Sequence, residues 1–72
     1  MNEISITTEF IKLQDLLKFA ALVSTGGEAK IIISEGEVMV NGEICLQRGR
    51  KLRPGDVVRC HGQELTVVYA NR

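Results

Sequence analysis

The chain has 72 residues, 44% of them hydrophobic, and its nine basic and nine acidic side chains cancel to a formal net charge of zero. A domain of this size buries only about 60% of the surface its unfolded chain exposes, so the core is small and a substrate cavity of roughly 300 Å³ is hard to accommodate, which argues against an enzyme. The longest apolar run, Phe19 to Val23, is too short for a bilayer, and the N-terminus lacks the charged-then-apolar order of a signal peptide, so a cytoplasmic location is the expectation.

Along the chain, Ile4 and Ile6 alternate with Ser5 and Thr7, the period of a half-buried strand. Leu13, Leu16, Leu17, Ala20 and Ala21 then recur at helical spacing and predict an amphipathic helix, with Lys12, Gln14, Asp15 and Lys18 turned to solvent. Thr25 is followed three residues later by Glu28, a capping-box signature that predicts a second helix with Ala29, Ile32, Ile33 and Gly36 on its buried stripe. Gly36 is placed to stop it.

Asn41-Gly42 separates two strand-like runs within Val38 to Leu46. It is a strong hairpin signal, because both turn positions require positive φ. Pro54-Gly55-Asp56 reads as a turn, Val57 to Cys60 as a strand, and His61 to Glu64 as a turn into a last strand, Leu65 to Ala70. No linker or repeat interrupts the order, so the expectation is a single α+β domain over residues 1–72.

Chemistry for catalysis is sparse. His61 is the one histidine and lies in a turn, without the cleft and partners that general base catalysis needs. Cys45, Cys60 and His61 include no close-spaced pair and no fourth ligand, so neither a zinc site nor any other cofactor is expected. The two cysteines read as small apolar residues facing the core of the sheet.

The zero net charge hides a polarity. Residues 1–37 carry three basic groups against six acidic ones, and residues 38–72 carry six against three. Arg48, Arg50, Lys51 and Arg53 fall within six positions. Guanidinium forks match phosphate oxygens, yet charges of this kind also keep an edge strand from pairing with its neighbours, and composition leaves both explanations open. Ser24-Thr25-Gly26-Gly27 opens a helix after another helix, which is not the context of a nucleotide-binding loop. The free N–H groups at such a helix start can still meet a backbone phosphate, at Thr25, Gly26 and Gly27.

The residues Lys12-Leu13 with Leu17, Glu28-Ala29-Lys30, Ile33-Ser34-Glu35-Gly36-Glu37-Val38-Met39-Val40-Asn41-Gly42 and Leu52-Arg53-Pro54-Gly55-Asp56-Val57-Val58 resemble the RNA-binding domain named after ribosomal small-subunit protein four. Its pattern runs R-L-D-x-x-L, S-R-x-x-A, I-x-x-G-x-V-x-V-N-G and a later G-D-x-I. The resemblance is greatest to stand-alone bacterial members of the YaaA/YbcJ type. It implies the αL motif, two short packed helices followed by a hairpin and a small, mainly antiparallel sheet, with its core over residues 12–58.

The resemblance also implies binding without catalysis, to structured RNA such as ribosomal or transfer RNA, in ribosome- or translation-related processes. Carried over position by position, Lys12 opens the first helix, Lys30 follows the matched alanine, and Arg48, Arg50, Lys51 and Arg53 form the basic strand. The chain departs from the pattern at Gln14, where aspartate is usual, and at Gly26-Gly27, where basic residues are common, which shifts phosphate contact towards residues 48–53. A-form RNA would then be read by shape and phosphates. Phe10, Phe19 and Tyr69 are the only aromatics and none lies in the basic stretch, so a stacking platform is not expected. The rival reading is an adaptor module whose basic strand meets an acidic protein partner.

Overall fold

The computed structural model describes residues 2–70. In chain order its elements are β1 (Asn2–Ile6), β2 (Ile11–Lys12), α1 (Leu13–Phe19), α2 (Gly26–Ser34), β3 (Val38–Val40), β4 (Glu43–Ile44), β5 (Lys51–Leu52), β6 (Val57–Cys60) and β7 (Gln63–Tyr69). Five strands form a sheet in the order β1-β7-β6-β3-β4, and β2 and β5 form a separate two-stranded ribbon. All pairings are antiparallel except β1 with β7, where Asn2 lies opposite Leu65 and Ile6 opposite Tyr69.

The helices form where the apolar spacing predicts them, and their ends have local causes. Leu13, Leu16 and Leu17 of α1 and Ala29, Ile32 and Ile33 of α2 are buried. They pack with Val38, Val40, Leu52, Val58, Cys60, Leu65 and Val67 into one core that holds no buried polar or charged side chain among the described residues. Full burial of each leucine, isoleucine or valine among them contributes about 1.5–3 kcal/mol. Cys45 and Cys60 are free thiols on the core side, as expected. Burial, followed by the charge of Glu37, pushes the Cys60 thiol above its usual range.

Helix α1 is shorter than its apolar stripe predicts. Ala20 is its C-cap, and Ala21 is exposed with φ 62°. The N–H of Leu22 donates to Leu17 O at 3.0 Å and that of Ala21 to Lys18 O at 3.0 Å, a Schellman ending built on alanine instead of glycine. Helix α2 ends in the same motif at the predicted Gly36, with φ 76°, and Glu37 N donates to Ile32 O at 3.1 Å. Its start is the expected capping box, with one change of partner. Thr25 Oγ1 accepts from Glu28 N at 3.1 Å, but the Glu28 carboxylate accepts from Ser24 N, at 2.8 Å, one residue before the cap.

The Asn41-Gly42 hairpin forms with both residues at positive φ, 53° and 86°, and Met39 lies opposite Ile44. Its second arm ends at Ile44, two residues before the predicted limit. The last strand starts at Gln63 because His61-Gly62 alone, both at positive φ, make the turn after β6. Strand β2, the β2–β5 ribbon and the parallel β1–β7 pairing carry no local signal in the sequence.

Candidate nucleic-acid interface

The basic stretch is held by its backbone against the start of α1. Lys12, the N-cap of α1, makes no side-chain cap, so the first helical N–H groups need other acceptors. Leu13 N donates to Arg50 O at 2.9 Å and Gln14 N to Arg48 O at 3.1 Å. Beside these bonds, Ile11 lies opposite Leu52 and Lys12 opposite Lys51 in the ribbon. Leu52 is fully buried and Ile11 packs against the core, so the paired lysines occupy the other, exposed face. The main chain thereby delivers Lys12, Arg48, Arg50 and Lys51 to one corner of the molecule.

Arg53 follows directly. Its N–H donates to Asp56 Oδ2 at 2.8 Å, and Asp56 N closes the Pro54-Gly55 turn on Arg53 O at 2.9 Å. The other carboxylate oxygen, Oδ1, accepts from Asn41 Nδ2 at 3.1 Å, and Asn41 Oδ1 accepts from Val57 N at 2.9 Å. The hairpin turn thus braces the turn that carries Arg53. Lys30 stands apart on α2, exposed, with no hydrogen bond or ion pair to the ribbon among the described residues. Thr25, Gly26 and Gly27 are exposed at the start of α2, where the Glu28 carboxylate already supplies negative charge to the helix end.

The cations of this corner have no ion-pair partner among the described residues. The ion pairs among the described residues are Lys18–Asp15, Arg59–Glu64 and His61–Glu37. Lys12, Lys30, Arg48, Arg50, Lys51 and Arg53 appear in none of them and are all exposed. Like charges directly opposite one another destabilise a strand pair, so the Lys12–Lys51 juxtaposition is an arrangement that an anion would relieve.

One member of this corner carries no signal in the sequence pattern. Lys51 Nζ sits 4.9 Å from the centroid of the half-buried Phe10 ring, within cation–π range. Phe10 lies outside the basic stretch in sequence, just before β2, and the ribbon brings it under Lys51. The two residues are far apart in the chain, and no local spacing announces the contact.

His61 has a carboxylate partner. Its Nε2 lies 2.7 Å from Glu37 Oε1, tying the β6–β7 turn to the start of β3. This hydrogen bond, followed by one from Glu35, holds the Glu37 carboxyl below its usual range. A depression of about 500 Å³, larger than the size of the domain suggests, is lined by Asn2, Arg59, Gly62, Gln63 and Glu64. All but Glu64 are exposed, so it lies on the surface, and none of the predicted site residues lines it. Among the described residues no group of acidic, histidine and cysteine side chains is arranged to hold a metal, and no helix is long and apolar enough to cross a membrane.

Comparison with known proteins gives a consistent picture. The family model described as "S4 domain" matches residues 4–68. The Bacillus subtilis (strain 168) protein named "Probable ribosome maturation protein RlbA" is 52% identical over 61 residues, covering 85% of this chain and 86% of that one. YbcJ of Escherichia coli (strain K12) is 36% identical over 58 residues, covering 81% and 83%. The solution structure of YbcJ from E. coli, described as revealing an αL motif involved in RNA binding, superposes with a TM-score of 0.72 at 33% identity over 94% of this chain and 87% of that one. Ribosomal protein S4e from Thermoplasma acidophilum shares the fold, with a TM-score of 0.61 at 21% identity over 81% of this chain and 31% of that one.

Proposed function

From its membership of the S4 domain family, to which this chain belongs, we propose that the protein is a non-catalytic binder of structured RNA that works in the cytoplasm on ribosomal or transfer RNA. The observation that carries the reading is the corner where Lys12, Arg48, Arg50 and Lys51 converge without carboxylate partners among the described residues, on a chain of zero net charge. A compact positive field on a neutral molecule recruits an anionic partner at short range. Guanidinium and ammonium groups spread over a ribbon suit the phosphates of an A-form helix, whose bases are hidden from side chains.

Arg53, on its braced turn, extends this surface, and Lys30 and the Thr25-Gly26-Gly27 helix start add a second, weaker contact. The relative named for ribosome maturation, at 52% identity, favours ribosomal RNA or a ribosomal precursor as the target.

The test is the double variant Arg50→Glu, Lys51→Glu. It should weaken binding to ribosomal RNA fragments and flatten the dependence of log affinity on log salt by about one unit per lost phosphate contact, with the far-UV circular dichroism unchanged. Unaltered binding would remove the site assignment. Crosslinking in cells with sequencing of the bound RNA should enrich ribosomal RNA; recovery of an acidic protein without enriched RNA would instead favour the adaptor reading.

A further inference from the structure

We propose that Phe10 is a stacking platform capped by Lys51, and that the RNA recognised here is a helix carrying an unpaired nucleotide beside the strand backbone that the ribbon grips. The inference rests on the RNA-binding reading above and adds to it what the RNA must contain.

Phe10 is the one aromatic set against the basic corner. Phe19 ends α1, at the opposite end of the helix from the ribbon, and Tyr69 ends β7. The position of Phe10 is defined: Thr8 Oγ1 donates to Phe10 O at 2.8 Å, and Ile11, the next residue, is fixed in the ribbon opposite Leu52. The ring is half-buried, and Lys51 Nζ lies over it at 4.9 Å.

That cover is weak. A cation–π contact at an exposed site is a small interaction, and Lys51 is already crowded by the like charge of Lys12 opposite. A phosphate arriving at the ribbon offers the ammonium a stronger, charge-assisted partner. When Lys51 turns to it, the ring is uncovered next to the RNA backbone. A base stacked on an aromatic ring contributes more than the cation–π contact it replaces. Bases inside an A-form duplex are already stacked on their neighbours, so only a nucleotide in a bulge, loop or end can take the place. Exchange of Lys51 for a base thus couples phosphate contact to recognition of a helix defect.

The experiment uses the full chain with two synthetic RNA hairpins of identical duplex sequence. One is fully paired and the other carries a single bulged fluorescent adenine analogue. The wild type should bind the bulged hairpin about fivefold or more tightly than the paired one and quench the analogue. Phe10→Leu, which keeps apolar bulk without a π face, should bring the ratio to about one and abolish quenching, while the affinity for the paired hairpin stays within about twofold. Phe10→Trp should restore both preference and quenching, which a merely structural role for Phe10 would not require.

Should Phe10→Leu not fold, Phe10→Ile serves in its place with the same loss of preference and quenching expected, and a preference that survives it overturns the inference. Equal binding of the two hairpins by the wild type, or a preference that survives Phe10→Leu, overturns the inference alone, provided the paired hairpin is bound in a salt-dependent way. Binding of neither hairpin overturns the RNA-binding reading and the inference with it.

Discussion

Lys12 and Lys51 are register partners across the two-residue β2–β5 ribbon, both exposed, and neither has a carboxylate partner among the described residues. Two like charges held side by side by the backbone weaken the fold locally. Their placement makes sense as a surface whose counter-charge comes from outside the chain.

Lys12→Glu should therefore act in opposite directions on stability and on binding. The new carboxylate faces Lys51 across the ribbon and lies at the N-terminus of α1, two effects that together stabilise by about 0.5–1 kcal/mol. Urea denaturation should show a higher midpoint, while RNA affinity falls. A variant that loses both stability and binding would show that Lys12 has a packing role instead.

Gly26→Arg should strengthen RNA binding. A Cβ at Gly26 meets nothing within 4 Å, and the residue does not need a left-handed conformation. Replacing glycine at an unstrained position gains about 0.4–1 kcal/mol through the unfolded chain, which is offset by a cation at a helix N-terminus, so stability should hardly move. The salt dependence should steepen by about one unit if the new guanidinium meets a phosphate. No change in affinity or slope would place the start of α2 outside the contact surface.

Asn41→Gly tests the brace beneath Arg53. Glycine accepts the φ of 53° at this position, so the hairpin turn survives while the bonds to Asp56 Oδ1 and from Val57 N are lost. A loss of about 1–2 kcal/mol is expected, seen as a lower urea midpoint at unchanged slope.

The His61–Glu37 hydrogen bond should be visible in the titration of Glu37. Because the folded carboxyl lies below its ordinary range, it contributes stability that is present above the unfolded pKa and is lost as pH falls through the folded one. His61→Ala should raise the Glu37 pKa towards the ordinary value, followed by the carboxyl carbon signal in nuclear magnetic resonance. The stability difference between wild type and variant should be present near neutral pH and vanish in acid.

Much of the fold is legible from local chemistry. Asn41-Gly42 specifies a hairpin because few residue pairs tolerate two successive positive φ angles. Thr25 and Glu28 mark a helix start because they satisfy orphan N–H groups within a few residues, and Gly36 marks its end for the same kind of reason. Ala21 misleads because its side chain fits the apolar stripe while its backbone terminates the helix. Spacing records side-chain chemistry and is blind to which carbonyl the next N–H will find.

The candidate site divides along the same line. Its cations are countable in the chain, and the cluster at residues 48–53 is evident at once. Their assembly is not. The ribbon strands are two residues long and have no periodicity to detect, and the α1 N–H groups are satisfied by the carbonyls of Arg48 and Arg50 from across the chain. Phe10 meets Lys51 only because that ribbon forms.

The two helices, the hairpin, the buried stripes and the pool of positive charge follow from residue order alone, since each depends on neighbours within a few positions. The parallel run of β1 beside β7, the facing of Lys12 and Lys51, and the aromatic ring within the basic corner emerge only when the chain is folded. Those pairings join residues distant in the chain, and they are held by backbone hydrogen bonds that nearly every residue type can make, so no local pattern of side chains marks which strands will meet.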